Sequence, residues 1–493
     1  MSESEEIRHA DGRVELRAPE ELVASPLYNH DLAPVALPRR TWSTWDYAAL
    51  WISMAHCIPT YTLASGMIAE GMAWWQALAT ILAGNLIVLA PILLNSHPGT
   101  KYGIPFPVFA RAAYGTSGAN LPALMRALIA CGWFGINAWI GGHALQVFLV
   151  SVWPGWHTLL GTSSYPLAGF ANTQWVAFAL FWLLNVVIIF RGMELLRRVE
   201  RFAAPFVLVM TALLLAWMLK QAGGLGPILG RSSFDPGPTH RTLWSVMIPA
   251  LTGTIAFWST LSLNMPDFTR FGRSQREQAI GQTVALPSTM TVFAAMGIMI
   301  TSATALVYGG PISDPIDLAA RFDSRIVVGI ATFTIVIATL AVNIAANVVS
   351  PANDFANAFP KKINFQRGGL ITGIVGVAMM PWELLKDPAR YINGWLGGYG
   401  AALGSIGGVL IVDYWILRKT ELHLRSLYVT DGRYRYTNGW NVPAAAATII
   451  GAGVALLGAF WEPMRIIYDF SWFVGFGLAG GLYYMLMRVR MPH

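Results

Sequence analysis

Trp133 and Asn137 lie four residues apart in an apolar stretch, so a helix would set them on one face. An indole can stack on a flat ring, and a side-chain amide both donates and accepts. The pair therefore suits a planar, hydrogen-bonding ligand. Asn343 and Asn347 repeat the spacing in the run Ala341 to Pro351. Amides in apolar surroundings need partners; Asn347 reads as a ligand contact and Asn343 as a bond between helices. His56 and His143 are the histidines inside apolar runs. A histidine titrates near neutral pH, so His56, beside Pro59, is a proton-relay candidate. His143 reads as a neutral imidazole bonded to a carbonyl. Asp267 and Arg270 stand three apart just past Pro266, where another apolar run ends. They would form an ion pair that locks or gates that end.

This chemistry is recognition, and the chain does not read as an enzyme. No His/Glu set with metal spacing lies on one helix, and no nucleophile elbow or phosphate loop occurs in context. The elements that must position these residues follow from composition. Of 493 residues, 55% are hydrophobic and 12% charged, against about 25% charged in soluble proteins. The apolar residues gather into runs of roughly 18 or more, enough to cross ~30 Å of hydrocarbon as helix. Twelve spans are expected, near 46–68, 74–96, 119–150, 172–191, 203–221, 243–265, 284–309, 325–349, 368–385, 393–416, 443–461 and 468–487. Continuous runs favour helices over alternating strands, giving an all-α integral membrane protein.

A net charge of +7 would fit a nucleic-acid binder, but its placement argues against one. With twelve spans both termini face one side. If that side is the cytoplasm, 25 of the 33 Lys and Arg residues fall inside and 8 outside, as the positive-inside rule requires. Arg191, Arg197, Arg198 and Arg201 mark one inner loop, and Lys361, Lys362 and Arg367 another. The neighbour is the lipid bilayer, with no nucleic acid and no obligatory protein partner.

Residues 1–41 are polar, without the apolar core of a signal peptide, and read as a mobile cytoplasmic tail. Residues 42–490 form the transmembrane domain. Cys57 and Cys131 both lie in spans, which excludes a disulfide framework. If spans one to five and six to ten are two halves, the odd number makes them inverted. Such halves with broken first helices are a transporter architecture. Pro59 interrupts span one among Ser53, His56, Thr60 and Tyr61, and Pro249 and Gly253 precede Phe257 and Trp258 in span six. The glycines of Gly404 to Gly408 would let helices approach closely.

At these residues the chain resembles the nucleobase–cation symporter family. The stretches His97 to Gly115, Asn264-Met-Pro-Asp-Phe-Thr-Arg-Phe271 and Ala345-Ala-Asn-Val-Val-Ser-Pro351 carry the likeness from about Trp42 to Arg490. His56-Cys-Ile-Pro-Thr-Tyr61, Ala320-Arg-Phe-Asp323 and Asp469 to Gly475 resemble the bacterial allantoin permeases within it. The resemblance implies a five-plus-five inverted repeat with broken helices one and six and two extra helices. It implies a small heterocyclic substrate held between Trp133 and Trp258, aided by the span-six backbone at Phe257 and by amide hydrogen bonds from Asn137 and Asn347. Cys57 stands where the family commonly has an amide, and Asn137 is shorter than the usual glutamine.

The resemblance also places a cation site at Ser53 and His56 of span one and Ala338, Ala341 and Val342 of span eight. Sodium-coupled relatives have hydroxyls at two of the span-eight positions; here there are none. The implied activity is import of allantoin or a related ureide, hydantoin or nucleobase by alternating access across a bacterial inner membrane, without cofactor. Protons are the expected coupling ion, with His56 and Asp46 as carriers. Rival readings are a sodium-coupled uracil, cytosine or purine symporter, an amino-acid or amine transporter, and a non-transporting sensor.

Overall fold

The computed structural model describes residues 6–489 apart from 161–166, 192, 231–232, 236, 238–240, 313 and 387–393. The side chains of 193–205, with Arg197, Arg198 and Arg201, lie outside the described residues. Each of the twelve expected spans is helical. Among the described residues, eight of them are long and apolar enough to cross a membrane. The last span, Ser471–Arg488, meets a short preceding helix at 79°. Span nine divides into Phe365–Ala378 and Pro381–Leu384.

Three spans are broken near their middles, and a proline accounts for two of the breaks. Span one stops at Ala55 and restarts at Ile58. His56 and Cys57 between them leave helical geometry, Cys57 being fully extended (φ −133°, ψ 156°). Pro59 has no N–H to give the Ala55 carbonyl, which accepts from the Cys57 amide instead at 3.0 Å. Span six runs Leu243–Phe257, turns at Trp258 and resumes over Ser259–Asn264. Pro249 lies within the first half and does not end it. Span eight, Arg325–Asn347, breaks at Val348 and continues as Val349–Ala358. That break was not foreseen; Pro351 cannot donate to the Asn347 carbonyl four residues back.

The expectation of a mobile tail is not met over residues 6–40. Strands Glu6–Arg8 and Val14–Leu16 pair antiparallel, and Val14, Leu16, Leu22 and Leu32 are buried. Asn29 donates to the carbonyls of Pro360 (2.8 Å) and Ile363 (3.0 Å). The Asp31 carbonyl accepts from Arg270 at 2.8 Å, and its carboxylate from the Phe365 amide at 3.1 Å. The segment is therefore a strap across the face that carries both termini, joining the end of span six to the loop after span eight. Its anchors are scattered apolar residues and backbone carbonyls, which form no run in the sequence.

Spans ten (Gly397–Ile411) and twelve pack through glycine, as the Gly404 to Gly408 stretch implied. A Cβ on Gly408 would lie 2.2 Å from the Phe476 carbonyl oxygen, and one on Gly404 2.6 Å from that of Trp472. Backbone cannot yield as a side chain can. Gly408→Val is therefore expected to destabilise the protein by about 1–3 kcal/mol. Gly481→Val, where a Cβ meets nothing within 4 Å, should unfold like the wild type. Thermal unfolding in detergent compares the two; equal midpoints would contradict this packing.

Candidate functional site

The three breaks converge on one place. Trp133, Asn137, Phe257, Trp258, Asn347 and Cys57 all line a single cavity of about 30 Å³. Span three, Asn120–Val152, is unbroken and presents Trp133 and Asn137 one turn apart. Phe257 and Trp258 sit where span six turns, Asn347 is the last residue before the break in span eight, and Cys57 is in the extended link of span one. The rings stand edge to face. Phe257 lies 5.2 Å from Trp133 and 4.9 Å from Trp258 between centroids, so it contributes a side chain and not backbone alone. Trp51 stands edge-on behind Trp258 at 5.1 Å. It was missed, and a tryptophan in the first half of span one was the only signal.

The amides divide into bound and free ends. Asn137 Nδ2 donates to the Trp133 carbonyl at 3.1 Å, while its Oδ1 is buried without a hydrogen-bond partner. Trp258 Nε1 is likewise buried and unpartnered. These two atoms offer one acceptor and one donor for a ligand. Asn347 donates to Asn343 Oδ1 at 3.0 Å, and Asn343 to Asn185 Oδ1 at 3.1 Å. Asn343 thus ties span eight to span four, while Asn347 reaches the cavity. Asn185 was missed, although a lone amide in an apolar run is a polar signal. Ligand pockets usually measure ~300 Å³ or more. This cavity is far smaller, and its side chains must part to admit a heterocycle.

The cation-site positions sit elsewhere in part. His56 and Ala338 line a second, mainly apolar cavity of about 670 Å³ between spans one, five, seven and eight. Val342 lines the small cavity, Cys57 lines both, and Ser53 and Ala341 are buried. Thr339, beside Ala338, also lines the larger cavity and was not picked out. His56 Nδ1 is bonded to the Ile52 carbonyl, its ring packs on Phe293 at 4.7 Å, and Nε2 has no partner. Asp46 caps the start of span one, accepting from the Ser43 amide and hydroxyl at 2.8 Å each. That is a structural task.

Two other readings change. Among the described residues Asp267 and Arg270 form no ion pair. Asp267 accepts from the Ser350 hydroxyl and, at 3.0 Å, from the Phe106 amide. Arg270 lies over the Phe271 ring and binds the strap. Among the described residues His143 makes no hydrogen bond to a carbonyl; its ring lies 4.0 Å from Asp314 and 3.9 Å from Asp317.

Broken helices one, six and eight meeting at one mid-chain cavity define a membrane transporter. Residues 34–475 match the family model described as a permease for cytosine/purines, uracil, thiamine and allantoin, and the chain belongs to that family. It is 42% identical over 469 residues to an allantoin permease of Bacillus subtilis, covering 94% of each chain. It is 40% identical over 474 residues to a purine-uracil permease of Arabidopsis thaliana, covering 94% of this chain and 78% of that one. Among solved structures it is similar to a nucleobase-cation-symport-1 family transporter in a closed conformation with bromovinylhydantoin bound. The TM-score is 0.76 at 24% identity, over 94% of this chain and 96% of that one. This likeness shows the fold expected from the sequence, twelve helices with the five-plus-five inverted repeat.

The amide chain makes a prediction about stability. Asn343→Ala would leave Asn185 Oδ1 and Asn347 Nδ2 buried without partners. A loss of about 1–3 kcal/mol is expected, read as a lower unfolding temperature. An unchanged temperature would show that the chain carries no load.

Proposed function

We propose that this chain imports allantoin, or a related ureide, hydantoin or nucleobase, by proton symport. One observation carries the reading: two indoles, a phenyl ring and two amides converge on a cavity made by helix breaks. A flat heterocycle would lie between Trp133 and Trp258, with Asn137 and Asn347 bonding its edge. Cys57 in place of a longer amide leaves room on the span-one side. The allantoin permease of Bacillus and the hydantoin-bound solved relative support this substrate class.

The coupling ion follows from ligand chemistry. Sodium needs several oxygens, and Ala338, Ala341 and Val342 offer no side-chain oxygen. The larger cavity beside His56 and Ala338 is mainly apolar. The charge asymmetry supports an orientation with both termini in the cytoplasm, and the Bacillus relative supports a bacterial inner membrane. A second reading, sodium-coupled uptake of uracil or purines, draws on the Arabidopsis relative.

Radiolabelled allantoin uptake into expressing cells separates the two. Uptake is expected to continue without sodium and to collapse with a protonophore. Uptake that requires sodium would contradict the coupling, and uracil uptake without allantoin uptake would move the substrate. Trp133→Ala and Trp258→Ala are each expected to weaken substrate binding by about tenfold or more. Unchanged affinity in both would sink the sandwich.

A further inference from the structure

Between the substrate cavity and the terminal face lies a charge cluster that the substrate site does not use. Arg126 and Asp354 are both fully buried, with Arg126 Nη1 3.6 Å from Asp354 Oδ2. That is too long for a charge-assisted hydrogen bond. Beyond this long contact, no guanidinium nitrogen and neither carboxylate oxygen has a hydrogen-bond partner. A buried pair made for stability satisfies its remaining donors and acceptors, and this one does not. Arginine keeps its charge, so the member able to change charge is Asp354.

The cluster shares its helices with the substrate site. Arg126 lies seven residues before Trp133 on span three, two turns or about 10 Å along the axis. Asp354 lies seven residues after Asn347 on span eight. A third charge comes from across the cavity. Asp267, at the end of span six, acts electrostatically on both Arg126 and Asp354. It is docked on Ser350, one turn before Asp354 on the same helix face. Ser350 also receives a bond from Asn264 of span six. Asp267 thus adds a second carboxylate to the field of Arg126 while span six is docked, with Arg270 as its stronger cationic neighbour.

The other charged neighbours are engaged elsewhere. Arg270 attracts Asp267 and bonds the strap. Arg111 is held by Asn357 and the Leu427 carbonyl. Asp31 accepts from Phe365, and His30 beside it is solvent-exposed. Arg367, from span nine, donates to the Lys362 carbonyl. Cys131, on span three, is a buried thiol within electrostatic range.

We propose that Asp354 is the proton-binding group that couples substrate movement to the proton gradient. Burial beside a guanidinium held 3.6 Å away, with Asp267 repelling its charge, disfavours the ionised form, so Asp354 carries a proton while Asp267 is docked on Ser350. When span six parts from span eight to open the terminal face, Asp267 leaves. Arg126 then pairs with ionised Asp354, and the proton passes to water at that face. Only the O–H bond of the carboxyl group breaks. The inference rests on the proton-symport reading and replaces His56 and Asp46 as its carriers.

The test uses purified full-length protein in vesicles holding a pH-sensitive dye. Wild type is expected to acidify the lumen when allantoin is added outside. Asp354→Asn should lose acidification and concentrative uptake yet keep counterflow, the exchange of labelled for unlabelled substrate. A wild type that transports without moving protons overturns the symport reading and this inference together. A proton-moving wild type with undiminished flux in Asp354→Asn overturns Asp354 alone. Loss of counterflow in a folded Asp354→Asn protein makes the residue structural and also overturns it. Should Asp354→Asn fail to fold, Asp354→Glu keeps a titrating group and must still move protons with a shifted pH profile; an unshifted profile counts against the proposal.

Discussion

A backbone carbonyl or amide freed inside an apolar medium must find a partner, and this protein is arranged around that constraint. Prolines and a tryptophan turn open three helices at mid-membrane depth. Two carbonyls freed by prolines are satisfied by specific partners. The Ala55 carbonyl takes the Cys57 amide. The Ser262 carbonyl, deprived by Pro266, takes Asn95 from span two at 2.8 Å. At the cavity, Asn137 Oδ1 and Trp258 Nε1 remain unsatisfied. Unpaired polar atoms are expensive there, which is why a ligand that supplies the missing partners can be recognised.

The same economy holds on the terminal face. Arg40 is nearly inaccessible and gives its donors to the Val35, Val14, Thr100 and Lys101 carbonyls. Arg111 and Arg270 bind strap carbonyls in the same way. These arginines serve irregular backbone, which in turn closes the ends of the broken spans. Arg126 and Asp354 depart from this pattern, being ionisable, buried and imperfectly paired. A rocking transporter needs some contacts that are only conditionally good, and this pair is placed to be one.

Much of this was legible in the sequence, and the reasons are physical. Membrane helices announce themselves by length and hydropathy, so all twelve spans could be placed. A four-residue spacing fixes a shared face, so Trp133 with Asn137 and Asn343 with Asn347 could be paired. The six proposed contacts could be gathered because the resemblance supplied which spans meet. Harder features depend on partners distant in the chain. The strap is polar and patternless until its carbonyls are seen under arginines. Asp46 reads as a titratable group until Ser43 is seen capped by it. The break at Val348 is announced by Pro351, but only once the Asn347 carbonyl is known to lose its donor there.

The central claim is that a flat heterocycle occupies the cavity at the helix breaks. Cys57 lines that cavity, so its reactivity reports occupancy. In a Cys131→Ala background, the rate of Cys57 alkylation by a membrane-permeant maleimide would be measured as allantoin is titrated. The account predicts saturable protection that tracks transport. Labelling at an unchanged rate, at allantoin concentrations that saturate uptake, would place the substrate elsewhere and contradict it.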